Sequence, residues 1–194
     1  MLKKTALAAA LGAAVLVPLS QAQADDYVID TEGQHAFIQF KINHLGFSYI
    51  IGNFREFSGE FSYDPEDLEA SSVNIEVDVT SLDSNHAERD RHFLSDDFLS
   101  ADQYPTATFT STGFEPEGDD EGILTGELTL HGETREIEMP VKLMGEGEDP
   151  WGNYRAGFEG STTLVLEDYG IDMSNFPEVM HELELYVTFE GIRQ

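Results

Sequence analysis

The sequence predicts an all-β protein, one antiparallel sheet of about eight strands closed into a barrel or folded as a sandwich. Three observations carry this. Apolar and polar residues alternate with period two in run after run beyond residue 25. Turn-forming clusters separate the runs, among them Asp64-Pro65-Glu66, His131-Gly132-Glu133 and the acidic stretches 117–122 and 145–150. One segment, Ser84 to Leu94, breaks the alternation. A length of 194 residues suits one domain with a real core rather than two full domains.

Taken in order, the chain opens with an address. Lys3 and Lys4 precede an apolar stretch from Ala6 to Leu19, and Ala22-Gln23-Ala24 follows as a small-x-small cleavage pattern. Residues 1–24 are expected to be a secretory signal peptide cut after Ala24, leaving one domain over residues 25–194. The apolar stretch is short for a bilayer span and is followed by Asp25 and Asp26. Export of this kind in a bacterium leads to the periplasm or the outside.

The first strand signal is His35 to Asn43. Phe57, Phe61 and Tyr63 then alternate with Ser58, Glu60 and Ser62. Val73, Ile75, Val77 and Val79 share a face opposite Asn74, Glu76 and Asp78. The segment 84–94 reads as a short helix near one end of the barrel. Ser84 or Asn85 is its N-cap, Glu88 completes a capping box with Asn85, and Pro105 lies beyond. Leu124, Leu128 and Leu130 form the next dry face, followed by Ile137, Met139, Val141 and Leu143, by Leu164 with Leu166, and by the run Glu182 to Glu190. Each strand thus presents one dry and one acidic face.

Composition excludes several functions. Ten basic residues face 38 acidic ones, a formal charge of −28, so a nucleic-acid partner is not expected. With no cysteine there are no disulfides, thiolate catalysis or cysteine-ligated metals. No nucleophile elbow, phosphate loop, dinucleotide fingerprint or His-Glu-x-x-His motif is present. His86, Asp90 and His92 have ligand chemistry. Arg89 and Arg91 beside them would repel a cation, so a solvated, ion-paired helix is expected there and no metal site. No catalytic residue or cofactor is assigned.

Two uneven features remain. Positive charge gathers around Asn85, His86, Arg89 and Arg91, with His44 at the end of an early strand. Thirteen phenylalanines fall mostly in or beside strands and the helix. An eight-stranded barrel leaves a bore about 20 Å deep, which suits a chain-like lipid better than a compact polar metabolite. The candidate tail-lining residues are Phe37, Phe40, Phe57, Phe61, Val77, Phe109, Leu128, Leu164 and Phe189. The candidate polar end is His44, Asn85, His86 and Arg89. Two alternatives stand beside this: an interaction protein with no small ligand, and a hydrolase or isomerase with His44 or His86 as base.

Several segments resemble the YceI family. Gly33–Phe37, Asn43–Ser48 and Gly52–Phe54 resemble its opening, and Thr80–Asp90 its most recognisable block. Ser95–Leu99 with Tyr104–Phe109, Gly126–Thr134, and Asp149–Gly152 with Arg155–Phe158 continue the likeness across the chain. The resemblance implies an eight-stranded antiparallel lipocalin-like barrel, periplasmic and non-enzymatic. It also implies an apolar tunnel holding a polyisoprenoid whose head is a quinone-type ring, a phenol or a pyrophosphate. The implied partners are that isoprenoid lipid or quinone and a membrane or membrane-protein donor.

Overall fold

The computed structural model describes residues 24–194, so the expected signal peptide lies outside the described residues but for Ala24. The alternating runs form eleven strand segments. These are β1 (Asp25–Ile29), β2 (Ala36–His44), β3 (Ser48–Phe54), β4 (Phe57–Tyr63), β5 (Ser72–Asp78) and β6 (Leu82–Asp83). After the helix α1 (Ala87–Phe93) come β7 (Thr106–Pro116), β8 (Glu121–Leu130), β9 (Glu133–Glu148), β10 (Tyr154–Val165) and β11 (Glu182–Arg193).

Eleven segments make eight staves, because three staves are interrupted. β1 with β2, β3 with β4, and β5 with β6 each run as one broken strand. Every stave pairs antiparallel with its neighbour in sequence, and β11 returns to pair with both β1 and β2. The result is a closed up-and-down barrel, as expected, and closure leaves the inner faces to a single interior.

Each interruption has a local cause. Between β1 and β2 the chain turns on Asp30, whose carboxylate accepts the Gly33 amide at 2.8 Å, and Gln34 is left-handed. Between β3 and β4 the Arg55 and Glu56 amides donate to the Ser81 hydroxyl, both at 3.0 Å. Ser81 ends the 3-10 turn Val79–Ser81 that separates β5 from β6, and Asp78 caps that turn by accepting from the Thr80 amide. One hydroxyl therefore ties two breaks together.

The barrel has two unlike ends. The helix end carries α1, the β2–β3 and β8–β9 turns, and the crossing from β10 to β11. The far end carries the β4–β5, β7–β8 and β9–β10 connections. Phe40, Ile42, Leu82, Phe98, Leu166, Ile171, Met173 and Met180 pack together as a plug at the helix end, with Phe93 and Leu94 against them. The β8–β9 turn is His131-Gly132, both with positive φ as a two-residue type I′ turn requires. The His131 ring then reaches the Tyr169 carbonyl (2.8 Å) and the Ser100 hydroxyl (3.2 Å), pinning the turn to the plug.

The helix differs in detail from expectation. Its N-cap is His86, whose Nδ1 accepts the Arg89 amide at 3.2 Å. Asn85 is left-handed and donates its amide to Asp83, which takes it out of capping position. Ser84 instead braces the helix from below: its hydroxyl donates to Asp90 and accepts from Arg89 Nε.

Candidate binding tunnel

The inner faces do not fill the barrel. A cavity of about 220 Å³ runs along its axis, larger than the ~150 Å³ apolar cavity that stays dry and takes up benzene. At the helix end it is closed by Phe93, Phe98, Leu166 and Ile171. Ile38, Val77, Leu128, Leu164 and Leu185 line it further. At the far end it reaches Tyr63, Leu68, Ser71, Phe114 and the turn residues Asp119, Asp120 and Glu121. Among the described residues, no lysine, arginine or histidine lines it.

Aromatic rings set its bore. A side chain at Gly126 would collide with the ring of Phe109, and one at Gly191 with the ring of Phe61. Each ring thus lies over a glycine on the barrel wall, and that frees the axis. Phe61 stacks on Tyr27 at 4.7 Å and meets Phe158 edge-on at 5.5 Å, which holds it in that pose. Tyr63 is part of the far-end lining, and burial pushes its phenol up to about 12.

Seven of the expected tail-lining residues do line the cavity: Phe40, Phe61, Val77, Phe109, Leu128, Leu164 and Phe189. Two do not. Phe37 lies on the outer face and is 47 % exposed, because Ala36, Ile38, Phe40 and Ile42 take the inward parity of β2. Phe57 is half-buried and packs against the inner clusters without reaching the void.

The four residues expected at the polar end are all outside the cavity. His44, Asn85 and His86 are exposed. The Arg89 guanidinium is bound to the hydroxyl and carbonyl of Ser84. The physical reason is the plug: apolar side chains from α1 and the β10–β11 crossing stand between this cluster and the bore. The polar end of the tunnel is the far end instead, at Ser71, Tyr63 and the β7–β8 turn.

Sequence alternation missed Phe114 for a definite reason. A bulge between Ser111 and Gly113 shifts the register of β7, so Phe109 and Phe114, five residues apart, both point inward opposite Leu128 and Leu124. Leu68 and Ser71 belong to a loop turn with no periodicity to read.

A family model for the YceI-like domain matches residues 27–191. The chain belongs to the YceI family. A UPF0312 protein of Azotobacter vinelandii is 52% identical over the full length of both chains, and one from Pseudomonas aeruginosa is also 52% identical over full length. Among solved structures, the Campylobacter jejuni YceI protein superposes with a TM-score of 0.71 at 26% identity, over 79% of this chain and 91% of that one. Burkholderia cenocepacia BcnA gives 0.74 at 20% identity, covering 84% and 98%. A polyisoprenoid-binding domain from Saccharophagus degradans gives 0.68 at 14% identity, covering 89% and 100%. The last two share the fold. This YceI-family chain therefore keeps the family's barrel around a continuous apolar bore.

Proposed function

We propose that this protein is a periplasmic binding protein that carries or sequesters an isoprenoid lipid, its tail held in the tunnel. The observation that carries the reading is the bore itself, long, narrow and lined by carbon from the plug to the far end. A flexible branched hydrocarbon gains about 0.8 kcal/mol for each CH₂ taken out of water. The likeness to a polyisoprenoid-binding domain supports an isoprenoid over a straight acyl chain. Phe40, Phe61, Val77, Phe109, Leu128, Leu164 and Phe189 are the tail contacts. Prenyl chains of this kind live in bilayers, so a membrane, or a protein within it, is the donor. A quinone ring or a free polyprenyl alcohol satisfies the same tail chemistry.

Binding is favoured over hydrolysis or isomerisation by the lining. No histidine faces the bore, so neither His44 nor His86 can serve as base to a buried substrate. Solvent extraction of protein purified from its native envelope, followed by mass spectrometry, is expected to yield a prenyl lipid near equimolar with the chain. Extracts without prenyl lipid, from protein that also fails to take one up when supplied, would overturn the reading. Export is tested separately. Intact-mass measurement of the protein from a periplasmic extract is expected to show Asp25 as the first residue.

A further inference from the structure

We infer that the tunnel selects isoprenoids with an uncharged head and rejects those ending in phosphate or diphosphate. This rests on the isoprenoid reading above and deepens it. The far-end mouth is where the bore meets water, since the helix end is plugged by packed side chains. The charged residues of the lining have one sign. Asp119, Asp120 and Glu121 lie there, all exposed on the β7–β8 turn, and Glu159 on β10 joins them.

No cation answers them from within the cavity. The described chain holds eight lysines and arginines, and none lines the bore. Lys142 is paired with Glu121 at 3.5 Å, which offsets one carboxylate and leaves Asp119, Asp120 and Glu159. Arg155 and Arg193, also at that end, are held by Asp30, Asp149 and Glu190 and by Asp25. A diphosphate would meet like charge at the mouth or low dielectric further in, with no counter-charge in either place.

The hydrogen-bonding groups present suit a neutral head. Ser71 is part of the lining, and its hydroxyl oxygen is buried without a partner. A hydroxyl can donate to a quinone carbonyl or accept from an alcohol, and an unpaired buried hydroxyl favours a ligand that pairs it. Tyr63 offers a second hydroxyl beside it on the lining.

The test compares two ligands with the same tail, geranylgeraniol and geranylgeranyl diphosphate, added to delipidated full-length mature protein. Wild type is expected to bind the alcohol at least about 100-fold more tightly than the diphosphate, the scale of several like-charge contacts. The triple variant Asp119→Asn, Asp120→Asn, Glu121→Gln should narrow that gap at least about tenfold, by tightening diphosphate binding. High salt should narrow it in wild type as well, because screening acts on charge and not on fit. Equal affinity of wild type for both ligands would overturn the inference, as would a gap that survives both the triple variant and salt. Failure of wild type to bind either ligand would instead remove the isoprenoid reading on which the inference stands.

Discussion

Leu128→Trp should abolish high-affinity uptake of a prenyl lipid and leave the barrel folded. Leu128 sits on β8 opposite Phe109 with its side chain on the wall of the bore, two residues before the strand ends at the helix end. It packs with Leu164, which also lines the void, and with the buried Tyr169. In a filled core an indole here would cost about 1–3 kcal/mol in strain. Here the ring has the void to enter, so the loss of stability is smaller. What it displaces is tail. Excluding three or four CH₂ groups, at about 0.8 kcal/mol each, weakens binding roughly 50- to 200-fold. Leu128→Ala is the control, since it widens the same point and should retain binding. Titration with a prenyl alcohol, alongside a thermal melt, reads both effects. A tryptophan variant that binds as wild type does would mean the tail does not reach the bore at Leu128.

That prediction depends on a position legible in the sequence, and its neighbours show where legibility ends. Val73, Ile75, Val77 and Val79 alternate with polar residues, so one rule of period two assigns their face. Leu124, Leu128 and Leu130 obey it too. Phe37 and Phe40 lie three apart and cannot share a face, and the parity of Ile38 and Ile42 decides for Phe40. Phe114 was hidden by the bulge, a backbone event that inverts parity without a mark in composition. The position of the polar end is not legible in the sequence for a different reason. Cations cluster near α1, but clustering does not say which way a cluster faces. Seen in the fold, Arg89 is a brace for Ser84, and the apolar residues around it, Phe93, Leu94 and Phe98, close the bore. The mouth has no basic signal at all. Its residues Asp119, Asp120 and Glu121 are three of 38 acids, indistinguishable until the barrel puts them over a cavity.

Arg155→Ala should be the most destabilising single change outside the bore. Arg155 is 18% exposed on β10 and forks to three carboxylates. Its Nη1 reaches Asp30 at 2.7 Å and Glu190 at 3.1 Å, and its Nε reaches Asp149 at 2.7 Å. Asp30 holds the break between β1 and β2, Glu190 lies on β11, and Asp149 organises the β9–β10 turn by accepting the Trp151 and Asn153 amides. One guanidinium thus joins the staves where the barrel closes on itself. Its removal leaves Asp30, 8% exposed, with only the His35 ring at 3.5 Å beside it, at a cost of about 3 kcal/mol. In a domain of this size that is a fall in Tm of roughly 6–12 °C. Arg155→Lys should recover only part of it, because a point charge cannot serve a three-way fork. The sign with pH follows from the carboxylates. Hydrogen bonding to Arg155 holds both Asp30 and Asp149 below the ordinary range. Their contribution is complete above the unfolded value, about 3.9, and is lost as pH falls through the depressed folded values. The gap in Tm between wild type and variant is therefore expected to be full at pH 7 and to close below about pH 4. Relief of the repulsion among 38 acids acts on both proteins alike and does not alter that difference. Equal melting at pH 7, or a gap that widens in acid, would count against the closure role. The cluster does not line the tunnel, so prenyl-alcohol affinity measured well below the melting range should match wild type, which separates closing the barrel from filling it.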